Sequence, residues 1–599
     1  MIKNILPHRN IDLDFDYAQS TFYVLPKANY VKTSSTSFLC IYVVLKKLFF
    51  LFTLFYLLFS CEEGRKKTPL QGGKITFAIH AKPTTWIPSL AFDVNTMTVL
   101  SQIYEGLVEI DQQTYQVKPL LAKNIETSHD FRTYTFELNP NVHFHPNSVF
   151  KSDSTDVLTN NDVIKTFEFA CSKKYHESSY AYQNILKDIQ GATEFHHGEM
   201  DTIKGLFVEN GKIVIRLKNQ DPQFLQKLAS PTLGIFSAKW LEKQKGIPPG
   251  TGPFYCRFED EQNINLVRHE QYFNTTKDGQ PLPYLDELTF KVYAQADQKI
   301  TDFLDGKLDI INGLNASELN VIFGKRKNDF NKIPPKLIYF SNPLLKTTML
   351  LFNLNTPLLE PIANRKMLNY AINRSEINRK IIHDQLSTST VFALNPPIEK
   401  LFNHYDYQQL KKESLRYNPD KIKVAKNLKD FEKDTLTLNI LNDPQRIKLA
   451  KLIKAQLKKE LGLELVIQLL TIEEMGISIQ NMDADMYLIN LSAEYLNPLS
   501  IMKHFYGATV PDSLNVPSTV NFSRYKNWYY DQFYEKASKE FKSAKQFEAI
   551  LLAEKELLKN PPFIVLHYNS DNYIHYAYVC NLHSNLLNLI SFKEIYIKK

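Results

Sequence analysis

Thr435-Leu436-Thr437-Leu438-Asn439-Ile440 is followed by a run from Arg446 to Leu461 and another from Leu463 to Leu470. In the first piece Leu436, Leu438 and Ile440 alternate with polar residues, the period of a half-buried strand. The second has the spacing of a long amphipathic helix, and the third reads as a strand again. Strand, helix and strand in that order make a βαβ unit, which implies parallel pairing with a right-handed crossover. The fold class is therefore α/β. Further strands are expected at Lys74 to His80, Tyr134 to Leu138, Lys212 to Leu217, Ile264 to Arg268 and Glu287 to Tyr293. Thr159-Asn160-Asn161-Asp162 has the form of an N-cap with an acid three positions on, ahead of a helix through Val163 to Phe169.

The chain has 599 residues with 71 Lys and Arg against 64 Asp and Glu, a net charge of +7. So mild a balance argues against a dedicated nucleic-acid binder. Aromatic residues make up 12%, enough for a large core. About 540 residues follow the N-terminal apolar region, room for two or three domains. Cys171, Cys256 and Cys580 are far apart and form no CxxC pair, so three buried thiols are expected and no zinc or iron–sulfur site. His143 and His145 share a strand face without a third ligand nearby, and no metal is expected there. No GxSxG, HExxH or Walker loop occurs, and Gly250-Thr251-Gly252 has the wrong spacing for a phosphate cradle. The reading is of a binder, not an enzyme, without cofactor.

Near the N-terminus Lys46-Lys47 precedes the apolar run Leu48 to Phe59, which ends at Ser60-Cys61 and gives way to Glu62-Glu63-Gly64-Arg65. Positive residues, a short apolar stretch and a small residue follow the order of a secretory signal. A cysteine at that point resembles a bacterial lipoprotein signal, in which the thiol takes the lipid; Cys61 is the expected lipidation site. The alternative is an uncleaved anchor over Phe38 to Ser60, interrupted by the two lysines. The expected layout is an extension and signal over 1–60 and a linker over 61–73.

Beyond it, ordered landmarks resemble the family 5 extracellular solute-binding proteins, the oligopeptide- and dipeptide-binding subunits of ABC importers. They are Leu121-Ala122-Lys123-Asn124, Tyr134 to Leu138, Val142-His143-Phe144-His145, Gly250-Thr251-Gly252-Pro253-Phe254, Asp305-Gly306-Lys307-Leu308-Asp309-Ile310, and Leu368-Asn369-Tyr370-Ala371-Ile372-Asn373-Arg374. The resemblance implies a two-lobed periplasmic-binding-protein-like fold, with a cleft between the lobes, an extra inserted domain and hinge closure on ligand. Lobe I would hold 74–105, 193–292 and 569–599, the inserted domain 106–192, and lobe III 293–568. Chain crossings would fall near Tyr293 and Tyr568. The implied partners are short peptides, ABC permease and ATPase subunits, and a membrane reached through the lipid. The protein would be a monomer in the periplasm or cell envelope.

Asn490 to Pro498 resembles the family's ligand strand. By position Glu494 would receive the peptide's α-ammonium, a charge-assisted contact, while Asn490 and Ser492 would bond its backbone along a strand edge. Val94-Asn95-Thr96 matches the backbone-pairing segment of the opposite lobe, and Tyr180 and Tyr182 are candidates to pack on ligand. The bare residues also fit a loop acid, a strand-to-helix turn and core aromatics. Other solutes remain open on this scaffold, such as a nickel chelate, haem or a sugar, as does a surface enzyme or envelope chaperone.

Overall fold

The computed structural model describes residues 71–112, 114–150, 156–175, 179–382, 393–396, 410, 415–426, 431 and 434–598; Cys61 and the N-terminal apolar run lie outside them. Strand β1 (Lys74–Ile79) buries Ile75 and Phe77 and leads to helix α1 (Val94–Ile103), capped by Asp93. Strands β2 (Val108–Ile110) and β3 (Val117–Pro119) form a small ribbon. Strands β4 (Ala122–Thr127), β5 (Thr133–Leu138), β6 (Leu206–Glu209) and β7 (Lys212–Arg216) build an antiparallel sheet in the order β4-β5-β7-β6. Helix α2 (Asn160–Cys171) joins its core through Val163, Phe167 and Ala170. It starts where the N-cap pattern put it, with the Asp162 carboxylate accepting from the Thr159 N–H at 2.9 Å. The sheet that starts with β4 and β5 thus also takes in β6 and β7. A hairpin at Asn210-Gly211 lays β7 against β5, a long-range pairing that local pattern does not reveal.

A ten-stranded sheet forms the frame. One half contains β8 (Phe254–Glu259), β9 (Asn263–Arg268), β10 (Glu287–Val292), β1 and β11 (Ile310–Ile311). The long strands β12 (Leu337–Phe352) and β16 (Phe563–Tyr576) run through both halves. The other half adds β13 (Thr435–Leu441), β14 (Glu464–Leu470) and β15 (Met486–Ser492), giving the order β14-β13-β15-β12-β16-β11-β1-β10-β9-β8. The β12/β16 register breaks between Pro343 and Thr347, opposite Ser570 and Tyr568. Tyr293, Phe303, Ile311 and Ile322 share one core with Ala78 and Ile574.

The βαβ unit forms as the periodicity demands. β13 and β14 pair in parallel from Thr435–Glu464 to Leu441–Leu470. Helix α3 (Ile362–Ala371) and the crossover helix α4 (Pro444–Leu461) cover one face of this half. Asp443 caps α4, Pro444 supplies the first position, and Gly462 ends it at φ 75°, where a side chain would be strained. Helices α5 (Trp528–Lys539) and α6 (Ser543–Lys559) cover the other face. Alternation sorts the strands between the two cores: Leu350, Met486 and Leu488 pack with α3 and α4, and Leu351, Tyr487, Ile489 and Leu491 with α5 and α6.

Of the three thiols expected to be buried, Cys171 is, while Cys256 and Cys580 are half-buried; all three are free. Gly250 serves backbone approach: a Cβ there would stand 2.2 Å from the Ile103 carbonyl oxygen. His143 pairs with Asp156 at 2.9 Å, and His145 is buried against the Gly252 carbonyl.

Candidate functional site: an open strand edge closed by an ion pair

β15 pairs with β12 along its whole length but with β13 only at Met486 and Tyr487. From Leu488 onward its far edge meets no strand among the described residues. Arg446, in the first turn of α4, donates to the Leu488 carbonyl at 3.2 Å on that side. Backbone groups repeat every second residue in a strand, so Asn490 and Ser492 present theirs to the same open edge. Both are therefore placed to pair with an extended chain, and the Ser492 side chain is exposed.

The edge ends at Glu494. Its backbone N–H is tied down by the Ser500 hydroxyl at 2.6 Å, and its Oε2 accepts from Lys503 Nζ at 2.6 Å, each side chain being 21% exposed. Tyr180, from the inserted domain, lies within reach of this carboxylate. Burial first and the Glu494 charge second push its phenol well above the ordinary range. Glu494 and Tyr180, two separately expected site residues, thus come together, with Lys503 as a third member.

Tyr182 goes elsewhere. It is buried in the core beneath its short helix and stacks on His196 at 4.2 Å, because positions two apart on a helix point to different faces. Val94 is the half-exposed first residue of α1. Thr96 is fully buried, with its N–H bound to Asp93 at 2.9 Å and its hydroxyl receiving the Thr84 N–H at 2.9 Å. This turn caps a helix, and Thr96 has no backbone donor to spare.

A cavity of about 110 Å³ opens beside Glu494, lined also by Tyr495, Glu105, Glu109, Ser230 and Lys593. Lys593 bonds Glu109 at 2.7 Å. Glu105 is buried and accepts from Tyr272; burial raises its carboxyl to about 8, against the opposing pull of Lys593. The cavity is therefore lined in part by charged groups, with room for roughly four waters.

Sequence reasoning missed Lys503, Lys346 and Arg446. Lys346 follows two leucines in a strand, Leu344-Leu345-Lys346, and Arg446 sits in a helix first turn, where the dipole disfavours a cation. Those misfits were the available signals.

A family model for bacterial extracellular solute-binding proteins, family 5 (middle), matches residues 116–513. The chain is 24% identical over 529 residues to the peptide transport periplasmic protein SapA of Salmonella typhimurium, covering 85% of this chain and 89% of that one. It is 25% identical over 425 residues to the oligopeptide-binding protein OppA of Bacillus subtilis, covering 68% and 72%. Heme-binding protein A of Haemophilus influenzae matches over 355 residues at 26%, covering 57% and 59%. Among solved structures, the periplasmic binding protein DppA of Helicobacter pylori in complex with the peptide STSA superposes with a TM-score of 0.70 at 20% identity, covering 88% of this chain and 99% of that one. The chain belongs to the bacterial extracellular solute-binding proteins of family 5, and its two-lobed α/β fold is theirs.

Proposed function

We propose that this chain is the extracytoplasmic receptor of an ABC importer for short peptides, lipid-anchored at Cys61 and acting as a monomer that delivers ligand to a permease with its own ATPase. The observation that carries the peptide reading is the open edge of β15, which turns the backbone groups of Asn490 and Ser492 outward and ends at the Glu494 carboxylate. A strand edge pairs with any extended peptide regardless of side chains, which suits a broad receptor. The Glu494 carboxylate, which Lys503 meets at Oε2 and Tyr180 also hydrogen-bonds, takes the peptide's ammonium. Relatives named for peptide transport and oligopeptide binding support the same reading, and the periplasmic names support the compartment.

Native mass spectrometry of protein purified from its own cells tests this. A ladder of peptide masses is expected. One defined small molecule would replace the peptide reading with a receptor for a metal chelate or haem, the ligand classes named in the nickel-binding protein of Escherichia coli and the heme-binding relative.

A further inference from the structure

Three acids line the cavity beside Glu494: Glu105, Glu109 and Glu494 itself. Two of them are matched. Glu109 holds Lys593 at 2.7 Å and Lys118 at 3.3 Å, and Glu494 holds Lys503 at 2.6 Å. Glu105, in the turn between α1 and β2, is 5% exposed and has no cation within ion-pair distance among the described residues. Its Oε1 accepts from the Tyr272 hydroxyl, while Oε2 is buried without a donor. The Thr251 hydroxyl, close to Glu105, also ends without a partner of normal geometry. Gln112 Oε1 and Gln226 Oε1, which line the same cavity, are likewise buried without donors. An amide can be turned end for end to find a partner. An ionised carboxylate offers acceptors only, so Glu105 has no such relief.

Burial raises the Glu105 carboxyl to about 8, against the opposing pull of Lys593 and Tyr272. The remaining titratable groups around it do not supply a counter-ion. Lys593 is engaged by Glu109, Glu109 itself adds a like charge, and Tyr104, the preceding residue, gives its hydroxyl to the Pro248 carbonyl at 2.8 Å. Held neutral, Glu105 leaves the charges of the cavity balanced; ionised, it leaves one positive charge missing. A cation entering the cavity supplies that charge together with the donors that Oε2 lacks. An ammonium brings three donors and no acceptor, which matches a wall of orphaned acceptors.

We propose that this cavity is the subsite for a cationic side chain of the ligand, with Glu105 as its counter-ion. Resting on the peptide reading above, this names the ligand class: peptides whose first residue is lysine. The first residue is indicated because Glu494, which takes the α-ammonium, forms part of the cavity wall. A cavity of about 110 Å³ holds roughly four waters, close to the bulk of an aminobutyl side chain. Occupation is coupled to a proton. The carboxyl is neutral in the empty cavity below about pH 8 and ionises as the ammonium arrives. Preference for lysine therefore grows as pH rises towards that value, by up to about tenfold per unit, and levels off above it.

The test is calorimetric binding of three probes to the wild type and to Glu105→Gln, between about pH 6 and about pH 8.5. The probes are Lys-Ala-Ala, norleucine-Ala-Ala and butylammonium. Norleucine has the shape of lysine without its charge, and both tripeptides carry the same α-ammonium, so its titration cancels in their ratio. Removing one partner of a buried charge pair costs about thirty-fold or more. At the upper pH the lysine peptide should therefore bind the wild type about thirty-fold more tightly than the norleucine peptide, and the ratio should shrink on acidification. Glu105→Gln should bring the ratio close to one throughout. If that variant does not fold, the wild type decides: a ratio that climbs with pH supports the subsite, and a flat one overturns it. Equal binding of the two tripeptides to the wild type means that the cavity holds water only, which overturns the subsite and leaves the peptide reading standing. A lysine preference that a folded Glu105→Gln retains overturns it as well. Should neither tripeptide bind while butylammonium binds the wild type and not Glu105→Gln, the subsite stands and the peptide reading falls. Failure of all three probes overturns both.

Discussion

Replacing Lys503 by methionine should tighten the binding of peptides with a free α-ammonium and make that ammonium matter more. Lys503 Nζ lies 2.6 Å from Glu494 Oε2, with 21% of each side chain exposed. An ammonium arriving on Oε1 would stand about 5 Å from Nζ, where like charges repel by about 3 kcal/mol at an effective dielectric of ~20. Solvent screening of partly exposed groups leaves about 1–2 kcal/mol of that, or about five- to thirty-fold in affinity. Methionine keeps most of the aliphatic stem and removes the repulsion. Calorimetric titration of a tripeptide and its N-acetylated form against both proteins reads the effect as a ratio of affinities. That ratio should widen about five- to thirty-fold in Lys503→Met, while Glu494→Gln should bring it close to one. If Lys503→Met instead weakens the free-amine peptide as much as Glu494→Gln does, the lysine builds the site rather than competing for it, and the reasoning is wrong.

Cys61→Ala should block acylation and signal cleavage, giving a larger species that incorporates no radiolabelled palmitate; label retained by the variant would exclude Cys61 as the acceptor. A saturating peptide should lower the radius of gyration in small-angle scattering, since a ligand touching both lobes favours the closed state by its differential affinity; an unchanged radius would count against hinge closure. Glu554 is buried on α6, where it accepts from the Asn395 backbone and side chain at 2.9 and 2.7 Å, and burial raises its carboxyl from 4.5 to about 8. The unfolded chain holds fewer protons between those values, so stability falls as pH rises through that window, by up to about 1.4 kcal/mol per unit for each such group. Glu105 adds a second slope of the same sign. Glu554→Gln keeps the acceptor and should make the slope of unfolding free energy between about pH 6.5 and 8, above the titration of unfolded histidines, less negative by up to about 1.4 kcal/mol per unit; a slope equal to the wild type's would refute the assignment.

Much of the frame was legible before any coordinates. Alternation and helical spacing are local properties, and they placed β13, α4 and β14 within a residue or two, along with β1, β5 and the capped start of α2. Order of landmarks along the chain pointed to the family and hence to the two-lobed class. Pairing partners are another matter, because they are set by contacts between residues hundreds of positions apart. Nothing local assigns β6 and β7 to the inserted sheet, or runs β12 and β16 through both lobes. Tyr180 and Tyr182 look alike in sequence, yet one faces Glu494 and the other a stacked histidine. The charges of the site depend most on tertiary structure. Glu494 read as a free acid until the turn after β15 brought Lys503 onto it, and Lys346 and Arg446 became neighbours only when α4 docked beside the open edge. By itself the sequence determined which segments are strands and helices and which family they belong to. The tertiary structure decided which charges are paired and with which partners, because electrostatic partnership depends on distance through space and not along the chain.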